Sequence, residues 1–292
     1  MPWVLGELDG YSVGIRIVAD SVCDTDAKLD AELNITKVPL TLYFGDREFK
    51  DDGTLTQQEI IELMRSSSVA PRTASPSPGQ FVEAIKGAGG DSTFVVTVSQ
   101  GISSTYESAT IAQQIIQSED AGRFIHVFNS RSASVGEALV CMKIQELARQ
   151  SLKVSEIVER VNAYIAEMKT FFLLDSLDNL VKSGRMGKVM GKIGSVLSLK
   201  LVLGASEEGT IKLFDKARGT KRAFRRLIDQ IEEHGERLEE KILGVAHCNA
   251  REKAEALKAE VLERFNFKDI IIVKTAGVTS IYADHGGIVI AF

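Results

Sequence analysis

Hydroxyl side chains gather at places where a surface loop would ordinarily carry charge. In "RTASPSPGQF" (72–81), Thr73, Ser75 and Ser77 stand among prolines and an alanine, with Arg72 the only ionic group. The pattern returns in "VSQGISSTYESA" (98–109) with Ser99, Ser103, Ser104 and Thr105, and again in "NSRSAS" (129–134). Hydroxyls are neutral donors that swivel to suit a partner. Helix N-termini just beyond such loops add free N–H groups and a favourable dipole. Together they suit a small anion held without strong counter-charge, a carboxylate rather than a bare polyphosphate. At any single position the competing role is a helix cap.

Other chemistries find less support. G-x-x-x-x-G-K-[ST] does not occur, and "KGAGGDS" fails G-x-G-x-x-G at Ser92. "KSGRMGKVMGKIGS" carries Lys182, Lys188 and Lys192, but not at P-loop spacing. Covalent catalysis needs a base, and there are four histidines, His126, His234, His247 and His285. "GISST" around Ser103 lacks the second glycine of a nucleophile elbow. A serine hydrolase or thioesterase using Ser103, with His247 or His285 as base, stays open as the alternative. His126 alternates within a strand and His234 lies in a charged helix, so both read as structural. No Cys/His spacing supports a metal, and none is expected.

The elements that position these loops alternate. "GIRIVAD", "TFVVTV" and "RFIHVF" read as strands that each run into a hydroxyl-rich segment, beginning at Ser21, Ser99 and Asn129. Between them lie a short helix over 25–33, the extended run "ITKVPLTLYFG" turning at Gly45-Asp46, and "TQQEIIELMRS", capped by Thr56 with Glu59 as capping-box partner. A helix starting at Pro78 and one in "TYESATIAQQIIQS" follow. Strand–helix alternation implies an α/β fold, mostly parallel, with helices on both faces. Ligands of such sheets bind outside the carboxyl ends of the strands. After a long helix over 134–151 and the amphipathic "SLKVSEIVERVNAYIAEMK" the texture changes. We read two α/β domains, 13–165 and 166–292.

Composition bounds the class. With 44% hydrophobic and 26% charged residues the chain reads as globular. A net charge of −5 argues against nucleic acid as the partner. Cys23, Cys141 and Cys248 are odd in number and far apart, which suits a reducing cytosol. No run approaches a transmembrane length, so a cytoplasmic protein is expected. Trp3, Val4 and Leu5 lack a basic neighbour and do not read as a signal peptide. The densest positive run is "KARGTKRAFRR" (Lys216, Arg218, Lys221, Arg222, Arg225, Arg226), either a solvated helix face or a docking surface for an acidic partner.

Six segments, "ADS", "TASPSPGQF", "VSQGISSTYESA", "LDNLVKSGRMGK", "KARGTKRA" and "HGGIVIAF", stand in the order seen in the bacterial DegV family. The chain resembles that family over residues 13–292. The resemblance implies two α/β domains with a lipid between them, its tail in an apolar tunnel for which "FFLLD", "VMGKIGSVLSL", and Phe81 with Ile85 are candidate linings. It further implies one bound long-chain fatty acid, such as palmitate, stearate or oleate, and no cofactor. The family's carrier subunit presents the carboxylate to a separate kinase subunit for acyl-phosphate formation and has no catalysis of its own. Carried over by motif, the carboxylate shell falls on Thr73, Ser99, Ser103, Ser104, Arg185 and His285, and the family's arginine in the basic run on Arg218. Ser183 replaces the first glycine of "G-G-R", and the usual H-x-G-P-G ending reads "DHGGI".

Overall fold

A computed structural model describes residues 14–90, 92–187, 189 and 199–292. Its first half is built from β1 (Ile15–Asp20), α1 (Ala27–Leu33), β2 (Ile35–Val38), β3 (Thr41–Phe44), β4 (Arg47–Lys50), α2 (Gln57–Ser66), β5 (Arg72–Ala74), α3 (Pro78–Ala88), β6 (Ser92–Thr97), α4 (Thr105–Glu119) and β7 (Phe124–Asn129). Helices α5 (Val135–Ala148) and α6 (Val154–Glu167) lead into the second half. There follow β8 (Thr170–Leu173), α7 (Asp178–Lys182), β9 (Leu199–Ala205), β10 (Ile211–Arg218), α8 (Thr220–His234), β11 (Ile242–His247), α9 (Arg251–Arg264), β12 (Asp269–Lys274), α10 (Gly277–Ala283) and β13 (Ile288–Ala291).

The expected parallel sheet is present, ordered β2-β1-β6-β7 with every pairing parallel. β6 is buried along its whole length because it lies between two strands and under helices on both faces. One face carries α3 and α4, packed through Phe81, Ile85 and Ile116. The other carries α5 and α6. This order makes β1, β6 and β7 neighbours, so their three hydroxyl segments meet at one edge of the sheet.

The second half forms a six-stranded sheet, β10-β9-β8-β13-β11-β12, in which only β11 and β12 pair in parallel. Helix α5 lies between the two sheets. Its residues 135–141 are all buried, and Val135, Ala138 and Leu139 share a core with Phe94 on one side and Ala246, Val289 and Ala291 on the other. Glu137 is buried with them, and the helix is exposed only in its second half, at Glu146. Helices α8 and α9 cover the far side of the six-stranded sheet.

The extended run "ITKVPLTLYFG" does not stay in one sheet. It breaks at Pro39-Leu40, so that β2 joins the parallel sheet while β3 heads a three-stranded antiparallel sheet, β4-β3-β5. That small sheet makes the first three residues of "RTASPSPGQF" a strand, pinning Thr73 opposite Leu42. The remainder delivers α3, whose start is fixed by a capping box between Ser77 and Gln80 and by Pro78. Ser77 is therefore a cap, as any hydroxyl before a helix could be. We expect Ser77→Ala to lower stability by about 1 kcal/mol, read as a shift in urea midpoint with unchanged slope.

Candidate functional site

Among the described residues, an apolar cleft lies between the carboxyl-end loops of the parallel sheet and the six-stranded sheet. Its free volume is about 130 Å³. One wall is Val22, Val98 and Ile102; the opposite wall is Phe172, Leu174 and Ile211. The strand "FFLLD" contributes by alternation: Phe172 and Leu174 face the cleft, whereas Phe171 belongs to the core behind. Phe81 and Ile85 lie instead in the core under α3 and α4. Of "VMGKIGSVLSL", residues 190–198 are outside the described residues, as are Trp3, Val4 and Leu5. Val189 is buried beside Leu174 and Leu180.

Polar groups converge on part of this apolar lining. Thr73, on β5, places its hydroxyl 2.8 Å from the Tyr282 phenol. Arg185 donates from Nη1 to the same phenol oxygen at 2.9 Å and from Nε to the Ile102 carbonyl at 2.9 Å. Its guanidinium lies 4.9 Å from the Tyr282 ring centre, a cation–π contact that adds to the bond. Guanidinium can only donate, so the phenol oxygen must accept from it. These two bonds use two of the five N–H donors of Arg185. Ser103 stands nearby on the cleft wall, its hydroxyl bonded to Ser75 at 3.1 Å and Thr105 at 2.9 Å.

The other residues singled out in the sequence are placed elsewhere. Ser99 is fully buried and donates to the Gly209 carbonyl at 2.8 Å. Ser104 is exposed and donates to Ser75 at 3.0 Å. His285 is exposed because α10 ends at Ala283 and Asp284 adopts a left-handed φ of 53°. The chain reverses there, and the ring turns to Asn249, which donates to Nδ1 at 3.0 Å, in a separate polar cleft with Asp175 and Asn179. His247 is buried and accepts from the Ala250 amide. Neither histidine is bonded to Ser103.

Tyr282 is the member of this constellation that reading the sequence did not single out. It is the one residue of "GVTSIYA" that joins an apolar body to a polar tip at the end of a buried helix. Its position depends on the other end of α10. The Ala276 amide donates to Asp24 at 2.6 Å, Gly277 to Asp51 at 2.8 Å and Val278 to Asp51 at 3.0 Å. Gly277 is required, because a Cβ there would collide with Asp51 Oδ1. The third hydroxyl segment serves the same end: Ser134 donates to Asp24 at 2.5 Å, and Ser132 bonds Thr170 at 2.7 Å.

Burial raises the Asp24 carboxyl from its ordinary 3.8 to about 7, against the opposing pull of the Ala276 amide and Ser134. Asp20, equally buried, is also raised to about 7, and Asp51 is raised in the same direction. A carboxyl with a folded-state pKa above its unfolded value holds its proton longer when folded. Its contribution to stability is largest at acid pH and declines as pH climbs toward and through 7. We therefore expect the unfolding free energy to fall between about pH 4 and about pH 7. Asp24→Asn should flatten that decline, measured by urea titration across the range.

The fold and the cleft place an apolar slot beside hydroxyls and the Arg185 guanidinium in an α/β protein, an arrangement whose chemistry suits an amphiphile. The family model described as "Uncharacterised protein, DegV family" matches residues 14–292. A DegV domain-containing protein of Streptococcus pneumoniae is 33% identical over 279 residues, 95% of this chain and 98% of that protein. A DegV family structure from Ruminococcus gnavus, refined with vaccenic acid, is 34% identical with a TM-score of 0.91, covering 97% of this chain and all of that one. The Streptococcus pneumoniae fatty acid kinase B3 protein loaded with linoleic acid is 33% identical with a TM-score of 0.86, over 96% of this chain and 99% of that one. The chain belongs to the DegV family.

Proposed function

We propose that the protein binds one long-chain fatty acid of the palmitate, stearate or oleate type. The tail lies in the apolar cleft and the carboxylate at Thr73, Ser103 and Arg185, with Tyr282 orienting the first and last of these. The observation that carries this reading is the apolar cleft bordered by the Thr73–Tyr282–Arg185 network. Structures of similar proteins holding vaccenic and linoleic acid support it. Each buried methylene contributes about 0.8 kcal/mol, so the tail supplies most of the binding free energy. The head group must then be satisfied, because an unpaired buried carboxylate is costly. Hydroxyls satisfy it while leaving an oxygen accessible for later transfer.

In this reading the protein is a cytoplasmic carrier without catalysis of its own. Residues 13–165 and 166–292 act as two units that clasp the lipid. The carboxylate is offered to a separate kinase subunit for conversion to an acyl phosphate. The likeness to a fatty acid kinase B3 protein supports that role. Arg218, Lys221, Arg222 and Arg225 border one exposed depression at the start of α8, whose first turn holds no acidic residue, and this is the surface we assign to an acidic partner.

Native mass spectrometry of the purified protein with added palmitate should show one fatty acid per chain. Thr73→Ala and Arg185→Ala should each weaken binding roughly 10- to 100-fold, the loss of a hydrogen bond to a charged group, with melting temperature little changed. Tyr282→Phe should weaken it less. Unchanged affinity in both alanine variants would refute the placement of the head group, and a chain that takes up neither palmitate nor oleate would refute the carrier.

A further inference from the structure

The β9–β10 hairpin forms a wall of the cleft. Gly204, Ala205, Gly209, Thr210 and Ile211 all line it. Yet β10 is an edge strand paired only with β9, so the hairpin lacks a sheet neighbour on its outer side. Its base is anchored: the pairing shifts between Leu213 and Asp215, and Phe214 packs edge-on against Phe171 with ring centres 4.8 Å apart. Its tip crosses to the other half of the molecule and meets the loop after β6. There the Ser99 hydroxyl donates to the Gly209 carbonyl at 2.8 Å and accepts from the Gly101 amide at 3.1 Å.

Three residues are shaped to this meeting. Gly209 has φ of 73°, and a Cβ on it would strike Ser99 Oγ and come within 2.9 Å of Arg131 Cα. A Cβ on Gly101 would lie 2.8 Å from the Gly209 carbonyl carbon and oxygen. Ser99 is fully buried by the contact and does not line the cleft. Two backbones thus approach at a distance only glycines allow, joined by a single buried side chain.

We infer that Ser99 is a positioning residue that latches the β9–β10 hairpin across the cleft and thereby sets how fast a bound lipid exchanges. This rests on the fatty-acid-carrier reading. A tail seated between the hairpin and the loops opposite cannot leave sideways until the tip lifts, and lifting the tip breaks the Ser99–Gly209 bond. Because Ser99 touches no cleft surface, removing its hydroxyl deletes no ligand contact. Its loss lowers the barrier to opening for entry and exit alike, so rates change while affinity stays. The loop itself keeps its backbone anchors, Ser99 N–H to the Ser132 carbonyl at 2.8 Å and Ser103 N–H to the Ser99 carbonyl at 3.2 Å.

The test is stopped-flow release of cis-parinaric acid, displaced by excess oleate, from the full chain and from Ser99→Ala and Gly209→Ala. The glycine variant disturbs the same contact from the other side, should either one fold poorly. Release roughly three- to tenfold faster in both, the scale of one hydrogen bond, with Kd within about twofold in Ser99→Ala, supports the latch. Unchanged release in both overturns it and leaves the carrier standing. A Kd weakened more than tenfold in Ser99→Ala with the hairpin variant unaffected would make Ser99 a ligand contact and overturn the latch. If the unaltered protein binds neither lipid, the carrier reading fails and the latch with it.

Discussion

Two buried carboxylates holding the first amides of one short helix set the geometry of the cleft. Asp24 follows β1 and Asp51 follows β4, yet both bind the start of α10, more than 220 residues downstream in sequence. A helix of seven residues has little stability of its own. Docking its N–H groups on carboxylates satisfies donors that would otherwise be orphaned and matches charge to dipole. It also ties the first half of the chain to the second. The arrangement costs desolvation, which is why Asp24 binds its proton to about neutral pH. What the molecule gains is a fixed exit for α10, with Tyr282 on the last turn between Thr73 and Arg185.

That placement explains how the proposed head-group site brings hydroxyls and a phenol together around the Arg185 guanidinium. Arg185 is tethered on two sides, to a carbonyl and to a phenol, and lies against the ring of the same tyrosine. Its charge reaches Thr73 through the phenol, which accepts from the guanidinium and can donate its own hydrogen bond to the threonine. Chains of hydrogen bonds polarise one another in a low dielectric. A hydroxyl at the end of such a chain is a better donor than an isolated one, and it stays free to reorient. A lysine in its place would hold a carboxylate as a fixed ion pair.

Much of the fold was legible because local signals agreed with the final structure. The capping box at Thr56, the helix start at Pro78 and the apolar strands at β1, β6 and β7 all appear where their residues point. The strand-end hydroxyl segments do converge on one edge, but proximity divides their labour. Thr73 and Ser103 reach the cleft, Ser132 and Ser134 border it while bonding Thr170 and Asp24, Ser77 caps a helix, and Ser99 holds a distant hairpin. Nothing in residue type separates these roles, since each hydroxyl needs only one partner and the partner is non-local. The split of "ITKVPLTLYFG" between two sheets was hidden for a similar reason: a proline marks a break but not which strands lie on either side.

His285 and Tyr282 show the same limit at finer scale. They are three residues apart, a spacing that would place them on one helix face if the helix continued. It does not, because Asp284 and Gly286 both take positive φ, and Gly286 lies so close to Asp175 that a side chain would collide with its carboxylate. The chain folds back to enter β13, carrying the imidazole outward and leaving the phenol within. Without the proline of H-x-G-P-G the ending "DHGGI" turns through two successive glycines instead. So a motif read by order alone points to the histidine, while the turn that follows the helix gives the inner position to the tyrosine. The group facing Thr73 is then a phenol, with its oxygen engaged by Arg185. A phenol so placed orients the threonine hydroxyl through a hydrogen bond while its ring lies against the guanidinium.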